Sequence, residues 1–124
     1  MTIRDNFATR SISGIDATLL DFVETKVNSF IKWDLLRFFY EYPYAPGTVE
    51  NITDYVGRKV TVVKSELENL VENGVIERKL LNGIPIYALA TDETVRALVH
   101  KFILAYEDRH FRVQAVNQIV PGMR

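Results

Sequence analysis

"GRKVTVVKSELENLVENGVIER", residues 57–78, decides how the whole chain is read. Its apolar residues Val63, Leu67 and Leu70 recur at helical spacing, with Gly57 before them and Gly74 after. With Val63 placed at 0° and each residue advancing about 100°, Leu67, Leu70 and Gly74 fall within about 40° of it, forming one packed ridge. The opposite side collects Thr61, Ser65, Glu68 and Glu72, with Val62 and Asn69 to one flank and Lys64 to the other. Glu66 falls near 300°, towards the packed shoulder. The spacing predicts a helix over about 61–73. Its leading turns present small polar and cationic groups, preceded by Arg58 and Lys59, and acid appears on its outward face only from Glu68 onward.

Upstream, "TVENITDYVGRK" (48–59) reads as a short helix. Thr48 caps it, Asn51 stands where a capping-box Glu or Gln would be, and Val49, Ile52 and Val56 form its apolar face. Gly57 suits a left-handed C-cap that turns the chain sharply. Before it, "NSFIKWDLLRFFYEYPYAPG" (28–47) places Ile31, Leu35, Phe38, Phe39 and Tyr42 at spacings of three and four. Asn28 or Ser29 caps this helix, and Pro43, Pro46 and Gly47 stop it. The aromatic-rich stripe reads as core; Trp33, off the stripe, packs on a neighbouring helix or a second subunit. From Ile15, the positions Leu19, Leu20, Phe22, Val23 and Val27 give a further short helix started by Asp16, and the first dozen residues fray.

Downstream, "VIERKLLNGIPIYALA" (75–90) loses helical period. Two runs rich in branched and aromatic residues flank Asn82-Gly83, which predicts a two-residue hairpin; Pro85 beside the turn has no N–H for the ladder. "TDETVRALVHKFILAYEDRHFRVQAVNQIV" (91–120) opens with Thr91 as cap and acids in the first turn. Val95, Leu98, Val99, Phe102, Ile103 and Tyr106 make a stripe, resumed by Val113, Val116 and Val120, with Pro121-Gly122 as the stop. A continuous helix over 92–119 would be about 42 Å long, against a core of about 25 Å. Its distal half would project uncovered, so Phe102, Tyr106, Val113, Val116 and Val120 are the candidate dimer contacts, aided by the helix at 15–27. The alternative is a break near Asp108-Arg109, with the tail folding back on its own domain.

The 124 residues suit one domain with appended helices: an arm and short helix over 1–27, a central domain over 28–91, and a long C-terminal helix over 92–124. Net charge is −1 and no segment is strongly basic, so any contact with a polyanion must come from local clustering. The absence of cysteine excludes disulfides and thiolate metal sites. His100 and His110 lie about 15 Å apart along one helix and cannot share a metal within it. There is no apolar run of signal-peptide length and none of about 18 residues, so the expectation is a cytoplasmic protein without a membrane span. No nucleophile elbow, P-loop, dinucleotide fingerprint or catalytic carboxylate pair is present, so neither an enzyme nor a cofactor is expected.

Helix, helix, helix, hairpin, helix is the order of a winged helix-turn-helix. Residues 30–91 resemble the winged-helix regulators of bacteria and archaea, especially the MarR-like and ArsR-like groups. The resemblance is carried by "VENITDYVGRKVTVVKSELENLVENGVIER", with its supporting helix, glycine turn, Val63–Leu67–Leu70 ridge and Leu-x-x-x-Gly-Val-Ile-x-Arg exit, and by "IYALATDE". It implies a mainly α (α+β) fold: a winged helix-turn-helix with a β-hairpin wing and flanking N- and C-terminal helices. It further implies a homodimeric, sequence-specific regulator of transcription that binds double-stranded DNA, with the helix at 61–73 in the major groove and two such helices about one DNA turn apart. Two features depart from the family's pattern. The wing loop (Leu81, Asn82, Gly83, Ile84) has no basic tip residue, and Val62 stands where Thr or Ser is frequent.

On that docking, Ser65 and Asn69 read base edges while Thr61 and Val62 touch a thymine methyl. Arg58, Lys59 and Lys64 bind phosphates, joined by Arg78 and Lys79 from the first wing strand. Lys59–Glu66 and Lys64–Glu68 are the surface ion pairs that helical spacing suggests. The competing function is a winged-helix module for protein–protein contacts without DNA binding. Trp33, Phe38, Tyr40, Tyr42, Phe102 and Tyr106 are open to two readings, the wall of a pocket for a small-molecule effector or plain packing.

Overall fold

A computed structural model describes residues 16–120. Its order is α1 (Ala17–Lys26), α2 (Phe30–Glu41), α3 (Val49–Val56), α4 (Val60–Glu72), β1 (Ile76–Leu81), β2 (Ile84–Leu89), α5 (Glu93–Tyr106) and α6 (Arg109–Ile119). This is a winged helix-turn-helix: α3 and α4 meet across a short turn and the β1–β2 hairpin follows directly. The expected fraying of the first dozen residues, and the Pro121-Gly122 stop, fall outside the described residues.

Short polar side chains start most helices. Asp16 accepts from the N–H groups of Thr18 and Leu19, Ser29 from that of Lys32, and Thr48 from that of Asn51. Asn51 closes no capping box; its amide donates to the Pro46 carbonyl at 2.9 Å. Gly57 takes φ +72°, the left-handed conformation that lets α3 end and α4 leave at once. The cap of α5 is Asp92, not Thr91 as expected, and the reason is a competing partner. The Thr91 backbone N–H and hydroxyl both donate to the Glu77 carboxylate, at 3.0 and 3.1 Å, while the Asp92 carboxylate accepts from Val95 N–H.

Val63, Leu67 and Leu70 are wholly buried, as the helical ridge requires, and pack with Leu35, Leu36, Ile52, Val75 and Ile76. The hairpin is antiparallel, with Leu81 paired to Ile84, and Asn82 and Gly83 both at positive φ, a turn whose twist matches the strands. Gly47 ties the α2–α3 loop to the wing: its carbonyl accepts from Tyr87 N–H at 2.9 Å, and a Cβ built on it would lie 1.9 Å from the Tyr87 oxygen. Only glycine permits that approach. Trp33 packs among its own chain's rings, 5.7 Å from Phe102 and 5.9 Å from Tyr106, and its indole N–H donates to the Val27 carbonyl at 2.7 Å.

The C-terminal segment corrects the expectation of one long helix. α5 ends at Tyr106, Asp108 adopts an extended conformation, and its carboxylate accepts from His110 N–H to start α6. Arg112 donates to the Tyr106 carbonyl at 2.7 Å, satisfying an end of α5 that a continuous helix would have bonded itself. α6 then packs back on α1 and α5, which buries Phe111 and Ala115. Burying Phe111 is worth about 1.5–3 kcal/mol over leaving it in water, a gain that the break makes available.

Candidate nucleic-acid interface

Because the Val63–Leu67–Leu70 ridge is held in the core, the other side of α4 must face out. Thr61, Val62, Lys64 and Ser65 are exposed, with Arg58 and Lys59 exposed in the turn just before them. Lys59 occupies the N-cap position without a side-chain cap bond, so the first N–H groups of α4 keep their capacity for an anion. Burial pushes the carboxyl of half-buried Asp34 above its ordinary range, against the charges of Arg37 and then Arg58.

The other candidates divide. Asn69 is half-buried one turn further back, where its side-chain oxygen accepts from the Asn73 amide at 3.2 Å. Arg78 is exposed and faces α4, but its guanidinium is paired with Glu68 at 2.7 Å. Lys79, its neighbour in the strand, therefore points to the opposite face of the hairpin. Arg58, Lys59, Thr61, Val62, Lys64 and Ser65 are thus all exposed, in the turn before α4 and along its first two turns, while Arg78 reaches α4 from the wing, Asn69 is half-buried and Lys79 lies on the other face of the hairpin.

The glutamates are engaged differently from the pairs that helical spacing suggests. Glu66 turns to α2, accepting from the Ser29 hydroxyl at 2.5 Å and lying 3.8 Å from the buried Lys32 ammonium, which also donates to Asn28. Glu68 accepts from the Tyr87 hydroxyl at 2.6 Å and from Arg78. The Tyr87 bond, then Arg78, holds the Glu68 carboxyl below its usual range; burial, then Glu68, pushes the Tyr87 phenol up. The angular placement of Glu66 at the packed shoulder was a usable signal for its partner. Nothing in the sequence spacing signalled that Tyr87 would reach Glu68.

Among the candidate dimer contacts, Phe102 is enclosed in the chain's own core at 0% exposure and has no surface to offer. Tyr106, Val116 and Val120 are half-buried and Val113 is 53% exposed. Tyr106, Val113 and Val116 rim an open cleft of about 430 Å³ that also touches Phe30 and Trp33. Among the described residues, the six aromatics raised as an effector wall line no single pocket. Trp33 and Tyr106 line this cleft, Phe38 packs on Phe39, Tyr42 and Tyr55, and Tyr40 meets His100, hydroxyl to Nδ1 at 3.1 Å. His110 is exposed, and among the described residues no three His, Asp or Glu side chains converge as a metal site would need. No helix among those residues is long and apolar enough to cross a membrane.

No family model matches the chain, and no curated protein matches it. Two solved structures do. One is the homodimeric winged helix-turn-helix DNA-binding domain of a possible ArsR-family transcriptional regulator from Mycobacterium bovis, at 16% identity and TM-score 0.56, over 88% of this chain and 92% of that one. The other is a possible transcriptional regulator from Methanosarcina mazei, at 15% identity and TM-score 0.51, over 77% and 82%. At such identities what is shared is the architecture, and the chain is a winged helix-turn-helix with flanking helices on both sides.

Proposed function

We propose that the protein is a sequence-specific DNA-binding regulator of transcription that works as a homodimer, with the leading turns of α4 in the major groove. One observation carries the reading. Arg58, Lys59, Thr61, Val62, Lys64 and Ser65 stand exposed together, at the uncapped start of a helix whose other side is wholly buried. Recognition helices of this motif contact base edges chiefly through their N-terminal residues. Ser65 and Thr61 have the hydroxyls for base edges and Val62 the methyls for thymine; Arg58, Lys59 and Lys64 take phosphates. Both structural neighbours are possible transcriptional regulators, and the mycobacterial one is a homodimer. For the partner copy, the cleft rimmed by Tyr106, Val113 and Val116 is the proposed seat.

The test is titration of a random-sequence duplex at several salt concentrations. The wild-type chain binds with an affinity that falls steeply with salt, and Lys59→Glu together with Lys64→Glu removes that binding. Unaltered binding by the double variant would place the docking face elsewhere. A second reading, a module for protein contacts, is favoured by the wing tip, where Leu80, Leu81 and Ile84 are 70%, 64% and 54% exposed. Failure of the wild type to bind any duplex, or heparin, would overturn the DNA reading and leave this one standing.

A further inference from the structure

We propose that Glu68 sets the discrimination of this surface between duplexes, by holding Arg78 as an internal stand-in for a DNA phosphate. The inference rests on the DNA-binding reading. The two oxygens of Glu68 have separate partners: Oε1 accepts from Arg78 Nη1 at 2.7 Å and Oε2 from the Tyr87 hydroxyl at 2.6 Å. Tyr87 is itself buried, and its backbone N–H is bonded to the Gly47 carbonyl. The carboxylate is therefore moored from the core side and cannot swing away with the guanidinium. Lys64, one turn earlier on α4, adds its charge to the same carboxylate. The exposed Glu68–Arg78 pair contributes little to folding, and what stability Glu68 supplies comes chiefly from its bond to Tyr87, so folding does not account for an arginine tied up on this face.

The consequence is an exchange. A phosphate arriving at the junction of α4 and the wing finds Arg78 occupied, with a fixed negative charge beside it. A duplex in arbitrary register repels that charge and gives nothing back. One seated so that a phosphate lies at Arg78 offers the guanidinium an equivalent anionic acceptor, and the pair is exchanged rather than lost. Glu68 thus weakens unregistered contacts more than registered ones, which raises the ratio on which a regulator's selectivity depends.

The experiment compares wild type, Glu68→Gln, Arg78→Ala and the double variant, each as the full chain. Binding is measured on a random duplex and on the tightest duplex from random-site selection, across a range of salt. Glutamine can still accept from Tyr87 but lacks the charge that Tyr87 and Arg78 favour, so Glu68→Gln should stay folded with a slightly lowered melting temperature. Glu68→Gln is expected to bind the random duplex about five-fold tighter, with the slope of log K against log salt steeper by about 0.9, and to gain less on the selected duplex. Arg78→Ala alone should weaken the selected duplex more than the random one, a loss that is read even if the glutamine variant folds poorly, and in the double variant it should remove the part of the Glu68→Gln gain that comes from the freed guanidinium. If Glu68→Gln leaves both affinity and slope on random duplex unchanged, or weakens both duplexes alike, the role of Glu68 is overturned while salt-sensitive wild-type binding keeps the DNA reading intact. No salt-sensitive binding by the wild type overturns both.

Discussion

A methyl group on Gly47 would collide with the Tyr87 carbonyl, so Gly47→Ala must push the wing away from the α2–α3 loop. The cost expected is about 2–3 kcal/mol, read as a lowered melting temperature and faster amide exchange along β2; a wild-type melting curve would show that the loop yields. Tyr55 makes a second prediction at this scale. Burial, then its bond to Glu41 at 2.9 Å, pushes the phenol up to about 12, against about 10 in an open chain. The folded state holds this proton more tightly, so the stabilisation is complete below about pH 10 and is lost as pH rises towards 12. Tyr55→Phe should therefore lose less stability than wild type across that window in melts run against pH, and parallel curves would deny the bond its role. Neither feature was legible in the sequence. Gly47 reads there as one helix stop among several, and a tyrosine's distant hydrogen bond leaves no mark in local spacing. Ser29, Thr48 and Gly57 were legible because capping and left-handed turns depend on residues only a few positions apart.

Among the elements, the break between α5 and α6 separates what local pattern can specify from what packing decides. Val113, Val116 and Val120 continue the spacing of the stripe before them, and periodicity alone cannot tell a straight helix from two that share a phase. The residues the bend buries, Phe111 and Ala115, lie on a different stripe. Asp108 was the local clue, a capping residue inside the helical pattern. Asp108→Ala should cost α6 its N-cap, about 1 kcal/mol and a few degrees of melting temperature. Exchange should quicken in 109–119 and stay unchanged in 93–106; uniform quickening would mean that the two helices open together. The hairpin, by contrast, followed directly from Asn82-Gly83 and its flanking runs, since turn chemistry and register are both local.

For the whole molecule, folding back of α6 removes the projecting helix that first suggested a dimer and leaves the partly exposed rim of Tyr106, Val113 and Val116 in its place. Val113→Glu puts a charge on that rim and should turn a homodimer into a 14.3 kDa monomer in light scattering, with weaker DNA binding as the paired helices separate; an unchanged mass would move the seam elsewhere. The placement of charge on the outward face was legible because an α-helix fixes its faces by number alone. The turn of Glu66 towards the packed side was half legible from its angle, but the tie that holds Glu68 was not, because it depends on how the wing docks against α4. The most direct measurement is a titration of the isotope-labelled chain with a short duplex, followed amide by amide. Shifts should concentrate on residues 58–65 and around Arg78, with little change along the outer side of α5. Shifts confined to the Leu80–Ile84 tip, or to α6, would contradict the docking of α4 on DNA.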